Sequence, residues 1–251
     1  MKTRWAIKVA SVVLVMTLPV LGVNVNYYWS GAGDNNEGGD GTWDTTTGHW
    51  GTAAPYNQPW NNVTMGADIA NFRGTSGTVD VQAAGVVCRR VNVTFSGYWI
   101  RGGKITSDAF NNNFVIDKSA ANWVRIDNDF DLITNNPATI NIRIRNTGGL
   151  TAPLVVSGTF QFIHNSGTKY LDIDGAGTSG SRTDFAGSLL DTAGATVRLR
   201  LGNNSGHDAS VYNLSGSSTY AGGTHVVRGT VNVSSSGALG SSTVQLCTST
   251  T

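Results

Sequence analysis

The sequence predicts an all-β fold, a parallel β-solenoid in the form of a right-handed β-helix. Three observations favour this class. The chain of 251 residues contains 32 Gly but only 5 Pro, a turn-rich composition, and no segment shows a helical period. Short runs of strand-forming residues recur at nearly constant intervals. Within several runs apolar and polar residues alternate, as they do in a strand that is buried on one face.

Residues 1–22 have the pattern of a secretory signal peptide. Lys2, Arg4 and Lys8 open the segment and the apolar run 9–15 follows; a charged start before a core of roughly 7–15 apolar residues is typical of export signals. The run is shorter than the roughly 20 residues that cross a bilayer. We therefore expect an exported protein, located at the cell surface, in the outer membrane or in the extracellular medium.

Residues 23–77 are expected to form a Trp- and Gly-rich cap on the N-terminal end of the solenoid. Four tryptophans, Trp29, Trp43, Trp50 and Trp60, lie here among Gly, Asn and Asp. The first strand of a stack has an open edge that pairs with other chains unless it is covered. Large aromatic side chains could cover that edge. The same rings could also stack on sugars, so a weak ligand-binding site at these four tryptophans, and with it a carbohydrate-binding adhesin, is an alternative function.

Residues 78–251 are expected to form the solenoid itself. Six runs begin 23, 26, 30, 27 and 29 residues apart, within the period of roughly 20–50 residues that is typical of repeat folds. The runs are 91–95, 114–117, 140–144, 170–173, 197–201 and 226–233. Residues about twenty-seven positions apart should therefore lie beside each other on neighbouring strands.

Alternation within these runs predicts an apolar inner face and a charged outer face. The isoleucines at 140, 142 and 144 alternate with polar side chains, and the runs 170–173 and 197–201 follow the same pattern. If the runs stack in register, their outward charges form a basic, acidic, basic ladder. Its members are Arg143 and Arg145, then Asp172 and Asp174, then Arg198 and Arg200. Because exposed ion pairs contribute only about 0–1 kcal/mol each, such a ladder should favour register more than stability.

The segment 217–246 contains a distinct repeat unit. It has a T-Y-x-G-G-T start, a G-T-V strand and an A-L-G close, formed by Thr219, Tyr220, Gly222, Gly223, Thr224, Gly229, Thr230, Val231, Ala238, Leu239 and Gly240. This unit resembles the autotransporter-associated β-strand repeat, also called the passenger-associated transport repeat. The resemblance covers 30 of the 251 residues.

The resemblance implies an exported bacterial passenger or surface protein. Such a protein would be a non-catalytic, elongated β-helical scaffold or an adhesin-like stalk. Its expected partners are surface glycans or extracellular matrix, together with the outer-membrane translocation machinery if the parent chain is longer. We expect the chain to be a fragment of such a longer protein.

Composition argues against several other classes of function. A net charge of +1, with 13% charged residues, removes the electrostatic case for binding nucleic acid or an anionic membrane. The four histidines are scattered singly, so neither a metal site nor a cofactor is expected.

Cys88 and Cys247 are the only cysteines. In a stack of strands they would lie several layers apart, beyond the roughly 7 Å between Cα atoms that a disulfide needs, so two free thiols are expected.

The sharpest catalytic candidate is an acidic group at residues 125–131. On one continuous strand Arg125, Asp127, Asp129 and Asp131 would share a face, and clustered carboxylates with a basic residue serve polysaccharide lyases and hydrolases. A β-helix lyase or glycoside hydrolase is therefore an alternative function. The simpler interpretation is a solvated outer face, with Phe130 and Leu132 pointing inward.

Three other motifs favour loops rather than chemistry. The acidic loop at 34–44 lacks the calcium-loop arrangement, the glycines at 175, 177 and 180 are not followed by a helical stripe, and Ser205, His207 and Asp208 are too close in sequence for a triad. We expect turns at all three places.

Overall fold

The computed structural model describes residues 25–62, 68–108, 113–133, 140–163, 166–175, 180–191, 196–202 and 209–246. The predicted signal peptide at 1–22 lies outside these ranges, and so does Cys247. All regular structure in the described ranges is β-strand. No helix there is long and apolar enough to cross a membrane.

In chain order the strands are β1 (Val25–Trp29), β2 (Gly41–Trp43), β3 (Trp50–Gly51), β4 (Asp68–Phe72), β5 (Thr78–Val81), β6 (Val86–Val87), β7 (Arg90–Val93), β8 (Trp99–Gly102), β9 (Ile105–Asp108), β10 (Asn113–Lys118), β11 (Val124–Ile126), β12 (Phe130–Ile133), β13 (Ile140–Asn146), β14 (Leu154–Val156), β15 (Phe160–Ile163), β16 (Thr168–Asp174), β17 (Arg182–Phe185), β18 (Leu189–Leu190), β19 (Thr196–Leu201), β20 (Val211–Leu214), β21 (Thr224–Val226), β22 (Thr230–Val233) and β23 (Val244–Leu246).

These strands form three sheets of ten, eight and five strands. The ten-stranded sheet has the order β23-β21-β19-β16-β13-β10-β7-β4-β1-β3, the eight-stranded sheet β2-β5-β8-β11-β14-β17-β20-β22, and the five-stranded sheet β18-β15-β12-β9-β6. From β4 to β18 consecutive strands enter the three sheets in strict rotation. One passage through the three sheets is called a circuit below. Only the pair β1 and β3 is antiparallel, and every other strand pair in the described ranges is parallel.

Strand register in the ten-stranded sheet confirms the predicted spacing. Val91, Ile116, Ile144, Ile173 and Leu201 pair in succession and are 25, 28, 29 and 28 residues apart. All five side chains are completely buried. Residues one period apart in the sequence are therefore neighbours across adjacent strands, and their apolar side chains form a continuous row in the core.

Two of the predicted runs differ from the observed strands. The run 226–233 divides into β21 in the ten-stranded sheet and β22 in the eight-stranded sheet. The division is at Gly229, whose φ of +91° turns the chain in a way that side-chain-bearing residues rarely allow. The run 91–95 ends as a strand at Val93, and Phe95 lies in the following bend with 45% of its surface exposed.

The core between the sheets is built from inward-facing apolar side chains. In the five-stranded sheet Phe130 pairs in register with Phe160, and Phe160 with Leu189. The two phenylalanine rings stack with centroids 4.6 Å apart. Neighbouring circuits thus place similar side chains over one another, as the alternation of the sequence predicts.

The predicted N-terminal cap packs against the first circuit. Trp60 Nε1 donates a hydrogen bond to the carbonyl oxygen of Val87 at 2.9 Å, and the Val87 N–H donates to Asn62 Oδ1 at 2.9 Å. Val87 belongs to β6, the edge strand of the five-stranded sheet. Two side chains of the cap therefore satisfy edge-strand groups that would otherwise be open to pairing. Strands β1, β2 and β4 of the 23–77 segment also belong to the parallel sheets, so the segment continues the sheets as well as covering an edge.

Candidate functional site

The predicted charge ladder is confirmed for three of its members on the outer face of the ten-stranded sheet. Arg143 is in register with Asp172, and Asp172 with Arg200. Asp172 Oδ2 lies 3.7 Å from Arg143 Nε and 2.7 Å from Arg200 Nη2. One carboxylate thus holds guanidinium groups from two neighbouring strands, so that β13, β16 and β19 are joined across their outer face.

Of the other ladder members, Arg145 has an additional partner and Arg198 has a different one from that expected. Arg145 is in register with Asp174 and also forms an ion pair with Asp117, with Nη2 2.5 Å from Oδ2. The hydrogen bond to Asp117 raises the pKa of Arg145. Arg198 lies opposite Tyr170 and donates a hydrogen bond to its hydroxyl group at 3.3 Å. The ladder therefore extends two strands towards the N-terminus, through Asp117 on β10 to Arg90 on β7, whose Nη1 lies 3.8 Å from Asp117 Oδ2.

The acidic side chains of this ladder are buried, although we expected them to be exposed. Asp172 and Asp174 are completely buried and Asp117 is 6% exposed. The guanidinium-bearing side chains of Arg143 and Arg200 are 21% and 18% exposed and cover Asp172. Removing one partner of a buried pair is costly because the remaining charge is left uncompensated, so the ladder fixes the register of these strands more strictly than an exposed one would.

The catalytic candidates are divided between two strands and the turn that joins them, with Arg125 on β11, Asp131 on β12, and Asp127 and Asp129 in the turn. Strand β11 ends at Ile126 and β12 begins at Phe130, so the chain passes from the eight-stranded to the five-stranded sheet between Asp127 and Asp129. Asp129 Oδ1 accepts a hydrogen bond from the Thr159 N–H at 2.7 Å. Asp131 forms an ion pair with Lys104 at 2.9 Å. Asp129 and Asp131 thus each bind a group from a neighbouring circuit.

Asp127 is the most highly coordinated of these carboxylates. It accepts hydrogen bonds from Arg125 Nε at 2.7 Å, from Trp99 Nε1 at 2.7 Å and from the Ser157 hydroxyl group. Burial opposes ionisation, but the hydrogen bonds from Arg125, Ser157 and Trp99 outweigh it and lower the pKa of Asp127. The group is therefore an anion that fixes three neighbouring side chains, which is unlike a general acid with a raised pKa.

The four tryptophans of the cap are in the core. Trp29, Trp43 and Trp50 are completely buried and Trp60 is 2% exposed. Trp50 lies 4.6 Å from Trp60 and 5.1 Å from both Trp29 and Trp43, measured between ring centroids. In this arrangement the rings pack on one another and offer no open face to a sugar.

The residues of the repeat unit at 217–246 hold particular backbone and packing positions. Tyr220 and Thr224 are completely buried, and their hydroxyl groups are hydrogen-bonded to each other. Gly223 has a φ of +91°. At Gly240 a Cβ would lie 2.4 Å from the Tyr220 carbonyl oxygen. The remaining motif residues are Thr219 and Gly222 before β21, Gly229 before β22, Thr230 and Val231 in β22, and Ala238 and Leu239 before β23.

The acidic residues of the 34–44 loop all have structural partners. Glu37 forms an ion pair with Arg73, and Asp40 accepts a hydrogen bond from the Thr78 N–H at 2.6 Å, while Asp34 and Asp44 stabilise local turns. Asp34 accepts hydrogen bonds from the backbone and side chain of Asn36, which lower its pKa. Asp44 accepts from the backbone N–H groups of Thr46 and Thr47. No three His, Cys, Asp or Glu side chains lie close enough to hold a metal ion in the ranges that the structure describes.

Three predicted features lie partly or wholly outside the described residues: the glycine turn at 175–180, the Ser205, His207 and Asp208 group, and the cysteine pair. Gly180 has a φ of +68° in the predicted turn, while Gly177 lies outside the described residues, as do Ser205, His207 and Asp208. Cys88 is a buried free thiol, and burial raises its pKa. Its predicted separation from Cys247 stays a prediction because Cys247 lies outside the described ranges.

Sequence reasoning missed an aromatic and charged group on the outer face of the eight-stranded sheet. Arg101 and Arg125 place their guanidinium carbons 4.3 Å and 5.2 Å from the Trp99 ring centroid. Trp99 and Arg125 are in register on β8 and β11. The signal was present in the sequence, because the W-I-R run at 99–101 and the V-R-I run at 124–126 both alternate, but three residues are too few to fix a register.

No family model matches the chain, and neither a curated protein nor a solved structure matches it.

Proposed function

We propose that this chain is a right-handed parallel β-solenoid that serves as an exported, non-catalytic scaffold or adhesin-like stalk of a bacterial cell surface. The observation that carries the proposal is the strict rotation of β4 to β18 through three parallel sheets. A chain that winds in this way grows by adding circuits, and each circuit pairs with the one before it.

The outer surface supports a structural role. Asp172 joins three strands of the ten-stranded sheet through Arg143 and Arg200. Asp129, Asp131 and Asp127 likewise bind groups from adjacent circuits. Charged side chains that connect neighbouring circuits suit a rigid stalk. These contacts give no comparable support to a lyase or hydrolase. Asp127, Asp129 and Asp131 each bind a different neighbouring group and do not converge on one site.

The proposed shape is tested by small-angle X-ray scattering of the protein in solution. Ten strands spaced by about 4.8 Å extend over about 43 Å along the stack. We expect an elongated distance distribution, and an experimental structure would show the handedness directly. A compact, isotropic particle would contradict the solenoid.

The proposed export is tested by expressing the full chain in a Gram-negative host and fractionating the cells. We expect the chain outside the cytoplasm with residues 1–22 removed, as mass spectrometry of its N-terminus would show. The matched control is the double variant Val12→Arg and Leu14→Arg, which interrupts the apolar run and should leave the chain uncleaved in the cytoplasm. Equal localisation of the two proteins would contradict export by this segment.

An experiment in the native host is needed to find where the chain is located after it has crossed the cytoplasmic membrane. We expect surface labelling of intact cells or recovery from the culture medium, as the resemblance of residues 217–246 to passenger repeats suggests. Retention in the cytoplasm of the native host would contradict the proposal.

A further inference from the structure

Both aromatic side chains that are largely exposed in the described ranges lie near one corner of the molecule. Phe95 and Trp123 are each 45% exposed. Phe95 follows β7 and Trp123 precedes β11, so they belong to the connections between the ten-stranded and eight-stranded sheets in two successive circuits. Exposed apolar groups that are gathered in one place mark interaction sites more often than single ones do.

Strand register extends this corner onto the outer face of the eight-stranded sheet. The Gly97 N–H donates a hydrogen bond to the Trp123 carbonyl oxygen at 2.8 Å, and Trp99 is in register with Arg125. Ile100, Val124 and Ile126 are completely buried. Because side chains alternate along a strand, Trp99 and Arg125 face outward. Phe95, Trp99, Arg101, Trp123 and Arg125 are together called the aromatic patch.

The polar part of the aromatic patch is fixed before any ligand arrives. Trp99 Nε1 donates to Asp127 Oδ2 at 2.7 Å, and Arg101 Nε donates to Asp80 Oδ1 at 2.6 Å. The Arg101 and Arg125 guanidinium groups lie over the Trp99 ring. A surface whose side chains are already held in place loses less conformational freedom on binding.

The chemistry of the patch selects one class of ligand. The face of an indole ring carries a partial negative charge, which attracts the C–H groups on the apolar face of a sugar ring. Guanidinium and carboxylate groups at its side can donate to and accept from sugar hydroxyl groups. The two arginines are balanced by Asp80 and Asp127, so the patch has no net charge with which to favour an anionic chain.

We propose that the aromatic patch binds neutral oligosaccharides, with Trp123 as the stacking platform and Arg125 as the hydrogen-bonding group beside it. The site differs from the buried tryptophans of the cap. It does not depend on export or display, because its residues and their geometry are present in the folded chain alone.

The test measures binding of the purified protein to cellohexaose, mannohexaose, xylohexaose and galactohexaose by calorimetry, with oligogalacturonate as the acidic comparison. We expect at least one neutral hexasaccharide to bind, with an affinity that is nearly the same at low and high salt. Trp123→Ala should lower that affinity at least tenfold. Ile163→Ala, which shortens an exposed side chain of the five-stranded sheet, should leave it unchanged.

Three outcomes would overturn the proposal. They are no binding of any neutral hexasaccharide, binding that Trp123→Ala leaves intact, and a preference for oligogalacturonate that salt abolishes. Far-UV circular dichroism and the thermal midpoint of each variant separate loss of the site from loss of the fold. A second variant, Phe95→Ala, should also weaken binding, because Phe95 contributes the other exposed ring. Failure of these tests would leave the export and scattering results unaffected.

Discussion

Lys118 shows how a single charged side chain can be part of the core. It is completely buried at the end of β10. Its ammonium group donates hydrogen bonds to Ala120 O at 2.8 Å, Ala152 O at 2.9 Å and Asn146 Oδ1 at 3.1 Å. These acceptors come from two successive connections and from the neighbouring strand β13. The side chain therefore fastens one circuit to the next from inside.

Replacing Lys118 with Met should destabilise the protein by about 2–4 kcal/mol. The substitution retains the apolar stem but leaves Ala120 O and Ala152 O without this donor, whereas Asn146 Oδ1 keeps the Gly148 N–H. Each unsatisfied group costs about 1–3 kcal/mol before any relaxation. Denaturant unfolding followed by circular dichroism measures the change. The control is Lys104→Met, which removes an exposed partner of Asp131 and should cost no more than about 1 kcal/mol. Equal losses would mean that the buried hydrogen bonds contribute little.

The stability of the protein should also rise with pH because of Lys118. Burial lowers the pKa of Lys118 from 10.5 to about 8. Between these values the unfolded chain binds more protons at this residue than the folded chain does, so the free energy of unfolding increases as pH rises. The increase from this residue is at most about 3 kcal/mol, at about 1.4 kcal/mol per pH unit.

Unfolding measurements from pH 7.5 to 10.5 check this dependence when the wild type is compared with Lys118→Met. The difference between the two proteins should grow with pH, because only the wild type carries the buried amine. A difference that stays constant across the range would show that the pKa of Lys118 is the same in the folded and unfolded chains.

At the scale of strands, the structure relies on close contact between successive circuits at their corners. Gly158, Gly187 and Gly216 follow β14, β17 and β20, and are spaced by 29 residues. A Cβ at Gly158 would lie 1.7 Å from the Asn128 carbonyl oxygen, at Gly187 1.9 Å from that of Gly158, and at Gly216 1.7 Å from that of Gly187. Each corner therefore has room only for glycine above the preceding carbonyl group.

Gly187→Ala should destabilise the protein by at least about 3 kcal/mol, because the added methyl group must displace a backbone carbonyl group in a packed corner. The control is Gly149→Ala. Gly149 has a φ of +82° but nothing within 4 Å of the added Cβ, so it carries only backbone strain of about 1 kcal/mol. Thermal unfolding of both variants measures the contrast. Similar losses would show that steric contact at the corner is unimportant.

Removing the central carboxylate of the charge ladder should also be costly. Asp172→Asn leaves Arg143 and Arg200 without their buried counter-charge, and breaking a buried pair in this way costs about 3–5 kcal/mol. Since both arginines are partly exposed, we expect a loss near the lower end of this range in denaturant unfolding. Asp80→Asn is the matched control, because the Asp80 side chain is 52% exposed. A loss at Asp172 as small as that at Asp80 would contradict the role of the ladder.

The sequence was most informative where strands are long. Strands β13, β16 and β19 have six or seven residues, enough for alternation to identify both faces and the period. Strands β6 and β18 have two residues each, too few to alternate, and the other three strands of the five-stranded sheet have only four. The sequence therefore placed Phe130 and Leu132 inward without predicting this sheet. The sequence feature that indicates this part of each circuit is the regular spacing of Gly158, Gly187 and Gly216. That spacing arises from close backbone contacts between circuits and not from a hydrophobic pattern.

The candidate site was harder to predict than the fold for a related reason. Asp127 and Asp131 share sequence parity, but the chain turns between them at Asn128, which is buried and donates a hydrogen bond to Gly103 O at 2.7 Å. Alternation in the sequence predicts which side chains share a face only along a continuous strand, so it does not apply across this turn. The burial of Asp172 could not be predicted from the sequence either. The arginines that cover Asp172 are 28 and 29 residues away and reach it only when the strands pair.

At the scale of the whole molecule, the cap covers an edge of the stack that would otherwise be open. The cap covers β6 with Trp60 and Asn62 and adds the antiparallel strand β3 beside β1. The last strands in the described ranges expose apolar side chains, with Leu246 79% and Val244 45% exposed. An open parallel edge can pair with another chain, whereas a covered edge cannot. The cap should therefore limit self-association at the N-terminal end.

The double variant Trp60→Phe and Asn62→Ala tests this role of the cap with little change in core volume. Phenylalanine keeps an aromatic ring in the cluster but cannot donate to Val87 O, and alanine cannot accept from the Val87 N–H. With its outer edge unsatisfied, β6 should become a site for pairing between chains. We expect a concentration-dependent rise in mass by sedimentation velocity, relative to the wild type. Trp123→Phe, which changes an exposed tryptophan outside the cap, should sediment as the wild type does. If the double variant keeps the wild-type mass and thermal midpoint at all concentrations, the cap hydrogen bonds do not protect the edge, and packing of the buried tryptophans alone must close this end of the stack.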